Sequence, residues 1–181
     1  MGRKFTFAPG EFYHLYNRGT EKRNIFSDHS DYERFLSLLF LCNGNKAVHV
    51  ENVKQNSKHG KKTKQGRTLL ELAVIEDRGK SLVDIATYCL MPNHFHLIVR
   101  EVEDGGISLF MQKLLTGYTM YFNKKNERTG TLFQGKFKAT HINNNRYLSY
   151  LIAYVHLNPI KLIDSKWKER GITNRKKAEA Y

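Results

Sequence analysis

The strongest constraint on the fold lies between residues 83 and 100. Residues 83–90 and 94–100 are two β-rich runs, and Met91-Pro92-Asn93 breaks them apart. Two such runs on either side of a turn-like break predict an antiparallel hairpin. Residues 5–17 read as extended, because the aromatic cluster Phe12-Tyr13-His14-Leu15-Tyr16 favours strand, and Asn17-Arg18-Gly19 reads as a turn. Residues 137–142 read as one more strand. Tyr32, Phe35, Leu36 and Leu39 recur at i, i+3, i+4 and i+7 behind N-cap candidates from Ser27 to Ser30, the pattern of an amphipathic helix. The apolar members of residues 107–123 keep helical spacing, and residues 69–75 favour a short helix. Residues 146–157 follow the capping run Asn143-Asn144-Asn145 and stop at Asn158-Pro159. The order strand, helix, hairpin, helix, strand, helix predicts an α+β sandwich, an antiparallel sheet flanked by helices. No internal repeat is visible.

The chain has 181 residues, 40% hydrophobic and 26% charged, which suits one globular domain with a real core. Residues 1–163 are expected to form that domain, and residues 164–181 a basic, mostly polar tail. Residues 43–67 carry Lys54, Lys58, Lys61, Lys62, Lys64 and Arg67 without apolar periodicity. They read as a basic loop or insertion, either touching phosphates or simply solvated. Thirty Lys+Arg against 17 Asp+Glu give a net charge of +13. That excess points to an anionic partner, nucleic acid first and an anionic membrane surface second. No apolar run reaches the roughly 18 residues of a membrane span, and the opening MGRKFTFAPGEFYH lacks the apolar stretch of a signal peptide. The two cysteines, Cys42 and Cys89, have no metal-type spacing and cannot build a disulfide framework, so a reducing cytoplasm is expected, with both thiols buried or inert.

Two features could carry chemistry. His94 and His96 are two apart in a strand, so both imidazoles project from one face and could share a divalent cation. The competing reading is two histidines on a half-exposed sheet face. Tyr154 and Asn158 are four apart on a helix and lie on one face. Asn158 could offer a carbonyl oxygen to a metal and Tyr154 a phenol beside it. An unperturbed phenol, with a pKa of about 10, needs a base or a cation-activated electrophile before it attacks at neutral pH. Here the competing reading is an aromatic core stripe of Tyr147, Tyr150 and Tyr154 at i, i+3 and i+7. Taken together, His94, His96 and Asn158 make a three-ligand N/N/O set with open positions, suited to Mg²⁺ or Mn²⁺ on a substrate phosphate.

Four ordered motifs then resemble the single-tyrosine HUH transposases, closest to the REP-associated tyrosine transposase branch. Met91-Pro92-Asn93-His94-Phe95-His96-Leu97-Ile98-Val99 is similar to the HUH strand, and Tyr154-Val155-His156-Leu157-Asn158-Pro159-Ile160-Lys161 to the catalytic helix. Tyr13-His14-Leu15-Tyr16-Asn17-Arg18-Gly19 resembles the opening strand. Gly130-Thr131-Leu132-Phe133-Gln134-Gly135-Lys136-Phe137-Lys138 resembles the segment before the last helix. The likeness runs from about residue 10 to 163, and residues 43–67 stand as an insertion relative to the plainest members.

The resemblance implies an HUH palm, a sandwich similar to RRM and ferredoxin-like folds. By motif position it makes Tyr154 the nucleophile and His94, His96 and Asn158 the ligands of Mg²⁺ or Mn²⁺. It implies a metal-dependent transposase that nicks single-stranded DNA beside a hairpin through a 5′-phosphotyrosine and rejoins strands, acting as a monomer or a homodimer. Arg18, Lys113, Lys136 and Lys138 flank the motif-bearing elements and are the candidate phosphate contacts; each could equally be a solvated charge. Tyr118, Tyr121 and Phe122 could stack bases, but their spacing favours core packing. Arg3, Lys4, Lys166, Lys168, Arg170, Arg175, Lys176 and Lys177 could grip backbone without sequence preference. The alternatives are an HUH replication initiator or relaxase, a domesticated binder of structured DNA or RNA that does not cut, and a hydrolase that activates water at the metal.

Overall fold

The computed structural model describes residues 5–47, 49–53, 68–164, 166–172 and 176. Strands β1 (Phe12–Arg18), β2 (Val83–Met91), β3 (His94–Glu101) and β4 (Lys138–Ile142) form one sheet in the order β2-β3-β1-β4, antiparallel throughout. The helices among the described residues include α1 (His29–Leu41), α2 (Leu69–Val74), α3 (Gly106–Lys125), α4 (Asn145–Leu157) and the single turn α5 (Trp167–Arg170). The predicted α+β sandwich is the fold observed, a βαββαβ arrangement of ferredoxin-like type with a further helix, α4.

Alternation along the strands sorts side chains between the two faces. Tyr13, Leu15, Phe95, Leu97 and Val99 pack with Phe35 of α1 and Phe110, Met111, Leu114 and Tyr118 of α3 in the larger core. The other face, under α4, has a thinner cluster in which Ile98, Cys89, Met91 and Ile142 meet Leu151 and Val155. A bulge between Ile85 and Thr87 reverses the parity of β2. Ile85 packs with the larger core, whereas Cys89 and Met91, also odd-numbered, pack under α4.

The local signals sit where the sequence puts them. Asp28 caps α1 by accepting from the Asp31 N–H, and Asn144 caps α4 by accepting from the Tyr147 N–H. Thr68 and Glu71 form a capping box at α2. Tyr118 is fully buried and donates its hydroxyl to the Ile25 carbonyl, and Phe122 joins the same core, so packing explains both. Cys42 and Cys89 are buried free thiols, and burial pushes each up to about 11. No helix among the described residues is long and apolar enough to cross a membrane.

Two expectations change. Asn17 and Arg18 do not turn; they continue β1 opposite Phe95 and His94, carrying the strand to the mouth of the hairpin. The start of residues 43–67 is not a solvated loop either. Asn43 is buried, donating to the Val83 carbonyl and accepting from the Leu82 and Val83 N–H groups, and Val53 packs with Leu41, Leu72 and Ala73. Residues 54–67, which hold the Lys/Arg cluster, lie outside the described residues, as do Arg3, Lys4, Arg175 and Lys177.

Candidate active site

Pro92 and Asn93 alone join β2 to β3, since Met91 pairs with His94. Proline pre-sets the turn φ and its carbonyl accepts from the Ile25 and Phe26 N–H groups, while the Asn93 carbonyl accepts from the Gly19 N–H. The hairpin mouth is thus tied to the chain leaving β1. The segment before β4 is stitched to the same place. Gly19 bridges Phe133, the Gln134 N–H donates to the Arg18 carbonyl, and the Asn17 side chain donates to the Gly135 carbonyl. These bonds explain why the Gly130–Lys138 motif ends beside β1, with Lys138 in the same cavity as the histidines.

His94 and His96 leave β3 on the α4 face, their rings 5.1 Å apart at the centroids and nearly perpendicular. Tyr154 of α4 sets its ring edge-on to His96 at 5.9 Å. The three side chains line one open cavity of about 520 Å³, together with Tyr16, Asn17, Arg18, Lys22, Asn93, Gln134, Lys138 and Lys161. Among the described residues four cations line this cavity and no carboxylate does. Among the described residues none of the four is in an ion pair, whereas Lys46, Arg100 and Lys125 each have an acidic partner. Arg18 is held by the Gln134 side-chain oxygen. The result is a positive pocket with unspent charge, matched to a phosphate backbone.

The imidazoles are held neutral. Burial is the first cause for both, with Lys161 and Arg18 adding to the lowering at His94, and His14, His94 and Lys168 at His96. His94 Nδ1 lies 2.6 Å from the Asn93 side-chain oxygen. An amide oxygen can only accept, so the proton sits on Nδ1 and Nε2 is bare. His96 Nδ1 lies 2.9 Å from Nε2 of His14, a buried residue of β1 whose own charge is disfavoured by burial. If His96 donates across that contact, its Nε2 is bare as well. A hydrogen bond that fixes the tautomer of a potential ligand is the usual support of a metal-binding histidine.

Asn158 stands one turn beyond Tyr154 at the start of a 3₁₀ turn, Asn158–Leu162, and is 2% exposed. Among the described residues its Nδ2 is buried without a hydrogen-bond partner. Such an orphan donor costs about 1–3 kcal/mol and calls for an acceptor; only the side-chain oxygen could serve a cation. Asn158 is not among the cavity-lining residues. No group of three His, Cys, Asp or Glu side chains capable of holding a metal occurs among the described residues. Two neutral imidazoles on one strand face are the donors the cavity presents, and they suit a divalent cation that keeps open positions for phosphate oxygens.

Of the four candidate phosphate contacts, Arg18 and Lys138 line the cavity. Lys113 does not. Its ammonium donates to the Gly44 and Lys46 carbonyls at 2.5 and 3.1 Å, because α3 packs on the opposite face of the sheet. Lys136 is exposed in the loop before β4, outside the cavity lining. Sequence reasoning passed over His14, Lys22, Gln134 and Lys161. His156 turns away and contacts the Thr87 hydroxyl at 3.2 Å.

The site thus sets two histidines of a ferredoxin-like sheet beneath a helix that carries a tyrosine. The model of the IS200-like transposase family matches residues 68–158, half of the chain, and the chain belongs to that family. Among solved structures it is similar to a REP-associated tyrosine transposase bound to a REP hairpin, at 15% identity and a TM-score of 0.52, covering 89% of this chain and 73% of that one. A putative transposase from Deinococcus radiodurans aligns at 10% identity and a TM-score of 0.41, over 86% of this chain and 95% of that one. No curated protein matches the sequence.

Proposed function

We propose that this transposase cuts and rejoins single-stranded DNA beside a hairpin, with Tyr154 as nucleophile and His94, His96 and Asn158 as the ligands of Mg²⁺ or Mn²⁺. The observation that carries the reading is the meeting of Tyr154 with His96 in a cavity that, among the described residues, four cations and no carboxylate line. Arg18, Lys22, Lys138 and Lys161 hold the backbone and oppose the charge that builds on the phosphate oxygens. When bound, the cation would polarise the scissile phosphate and neutralise part of that charge. The Tyr154 oxygen loses its proton and forms the bond to phosphorus; the 3′ oxygen leaves and takes up a proton. The products are a 5′-phosphotyrosine and a free 3′-OH. The link keeps the phosphodiester energy, so attack by a second 3′-OH reverses the step and joins strands without a nucleotide cofactor.

The likeness to a REP-associated tyrosine transposase bound to a REP hairpin supports a hairpin beside the cut as the DNA feature recognised. The test is a covalent-adduct assay on labelled single-stranded DNA taken from the flanks of the gene, with Mn²⁺ or EDTA. A Mn²⁺-dependent adduct that survives denaturation and is missing in Tyr154→Phe is the expected result. Binding without cut or adduct would replace this reading with that of a non-cutting binder. A cut without an adduct would replace it with water activated at the metal.

A further inference from the structure

Tyr147, Tyr150 and Tyr154 form a ladder on α4. Neighbouring rings are 6.4 and 6.5 Å apart at their centroids and lie within 14° and 20° of parallel. The ladder does not face the core. Tyr147 and Tyr154 are half-buried at the edge of the thinner cluster, while Tyr150 is 63% exposed. Most of one aromatic ring is thus left open to water between two others. The lower end is fixed: Tyr154 is held edge-on by His96, and the ammonium of Lys168 stands 4.2 Å from its ring centroid. The charge that would follow a polyanion stands at that lower end, where Tyr154 lines the cavity with Lys138, Lys161 and Arg18.

We infer that this ladder is a stacking platform for unpaired bases of the DNA strand that enters the cavity, with Tyr150 as its exposed rung. The inference rests on the proposed function for its strand. It adds a base-binding surface beside the phosphate cleft, set by aromatic faces rather than by base-edge hydrogen bonds. The three tyrosines span seven residues of helix, about 10 Å at 1.5 Å per residue, room for a few nucleotides. Stacking tolerates any base, because every base has a π-face. Duplex DNA gains nothing there, since its base faces are already covered.

The experiment reads binding in EDTA, where no cut occurs, by anisotropy of a short labelled single-stranded oligonucleotide against the full chain. An abasic site is walked along the strand. Tyr150→Ala is expected to weaken single-strand binding about tenfold, the scale of one stacked base, and to leave duplex binding unchanged. Tyr150→Phe, which keeps the π-face, is expected to bind like the parent. One abasic position should weaken the parent as much as Tyr150→Ala does and cost that variant nothing more. Unchanged affinity in Tyr150→Ala, or equal losses on single strand and duplex, overturns the platform. The adduct assay separates the two ideas: an adduct with unaltered Tyr150→Ala binding breaks only the platform, and stacking without an adduct breaks only the nuclease reading.

Discussion

The two faces of the sheet are made of the same four strands and do opposite things. On the α1 and α3 face, Phe35 meets Phe95 at 5.2 Å and Tyr118 at 5.0 Å, and all three are fully buried. On the α4 face, His14, Tyr16, His94 and His96 emerge where aliphatic side chains would otherwise stand, and the buried hydrophobic cluster shrinks to six residues. One face supplies stability and the other forgoes part of it for a cavity. Alternation makes this division available to any strand, since residues i and i+1 serve different environments one bond apart. Phe95, between His94 and His96, is the sharpest case.

The division is most exposed by comparing one residue from each face. Phe95→Ala is expected to cost about 3–5 kcal/mol of stability, read by chemical denaturation, because a fully buried ring is lost from a packed core. Tyr154→Phe, by contrast, should lose all adduct with an unchanged melting midpoint. An unfolded Tyr154→Phe, or a stable Phe95→Ala, would break the separation of the faces.

A smaller effect is expected at His14. His14→Phe keeps a ring of similar shape and removes the nitrogen that faces His96. It should weaken Mn²⁺ binding by about 10–100-fold in calorimetry, the usual loss when an outer-shell partner of a ligand is removed. Unaltered Mn²⁺ affinity would leave His14 as packing alone.

Legibility in the sequence divides along the same line. Hairpin, helices, caps and the His94, His96 and Tyr154 motifs are local patterns, and they stand where periodicity puts them. What escaped depends on register. His14 reads as a strand residue, but only the pairing of His14 with Ile98 and of Tyr16 with His96 sets its ring diagonally against His96. The bulge at Ile85/Thr87 has no local signal, yet it decides which face Cys89 and Met91 join. Lys113 was misplaced for the complementary reason. It flanks the motifs in sequence, but the right-sized helix that carries it packs on the far face. The Tyr147-Tyr150-Tyr154 spacing was legible as a stripe, and only exposure shows that it lies on the rim rather than in the core.

The weakest expected effect compares single cations across the sheet. Binding that displaces counterions from a single strand makes log K fall with log salt at about 0.7 per phosphate neutralised. Lys161 lines the cavity and among the described residues has no acidic partner, so Lys161→Ala should lower that slope by about 0.7. Lys113 spends its donors on the Gly44 and Lys46 carbonyls behind the sheet, so Lys113→Ala should leave the slope unchanged and instead loosen the turn after α1. The measurement is anisotropy of a labelled oligonucleotide across a salt series in EDTA, with all three proteins on the same DNA. Equal slopes for Lys161→Ala and the parent would mean the cavity cations do not meet phosphate. A lowered slope in Lys113→Ala would carry the DNA path around to the α3 face and end the division of labour between the two sides.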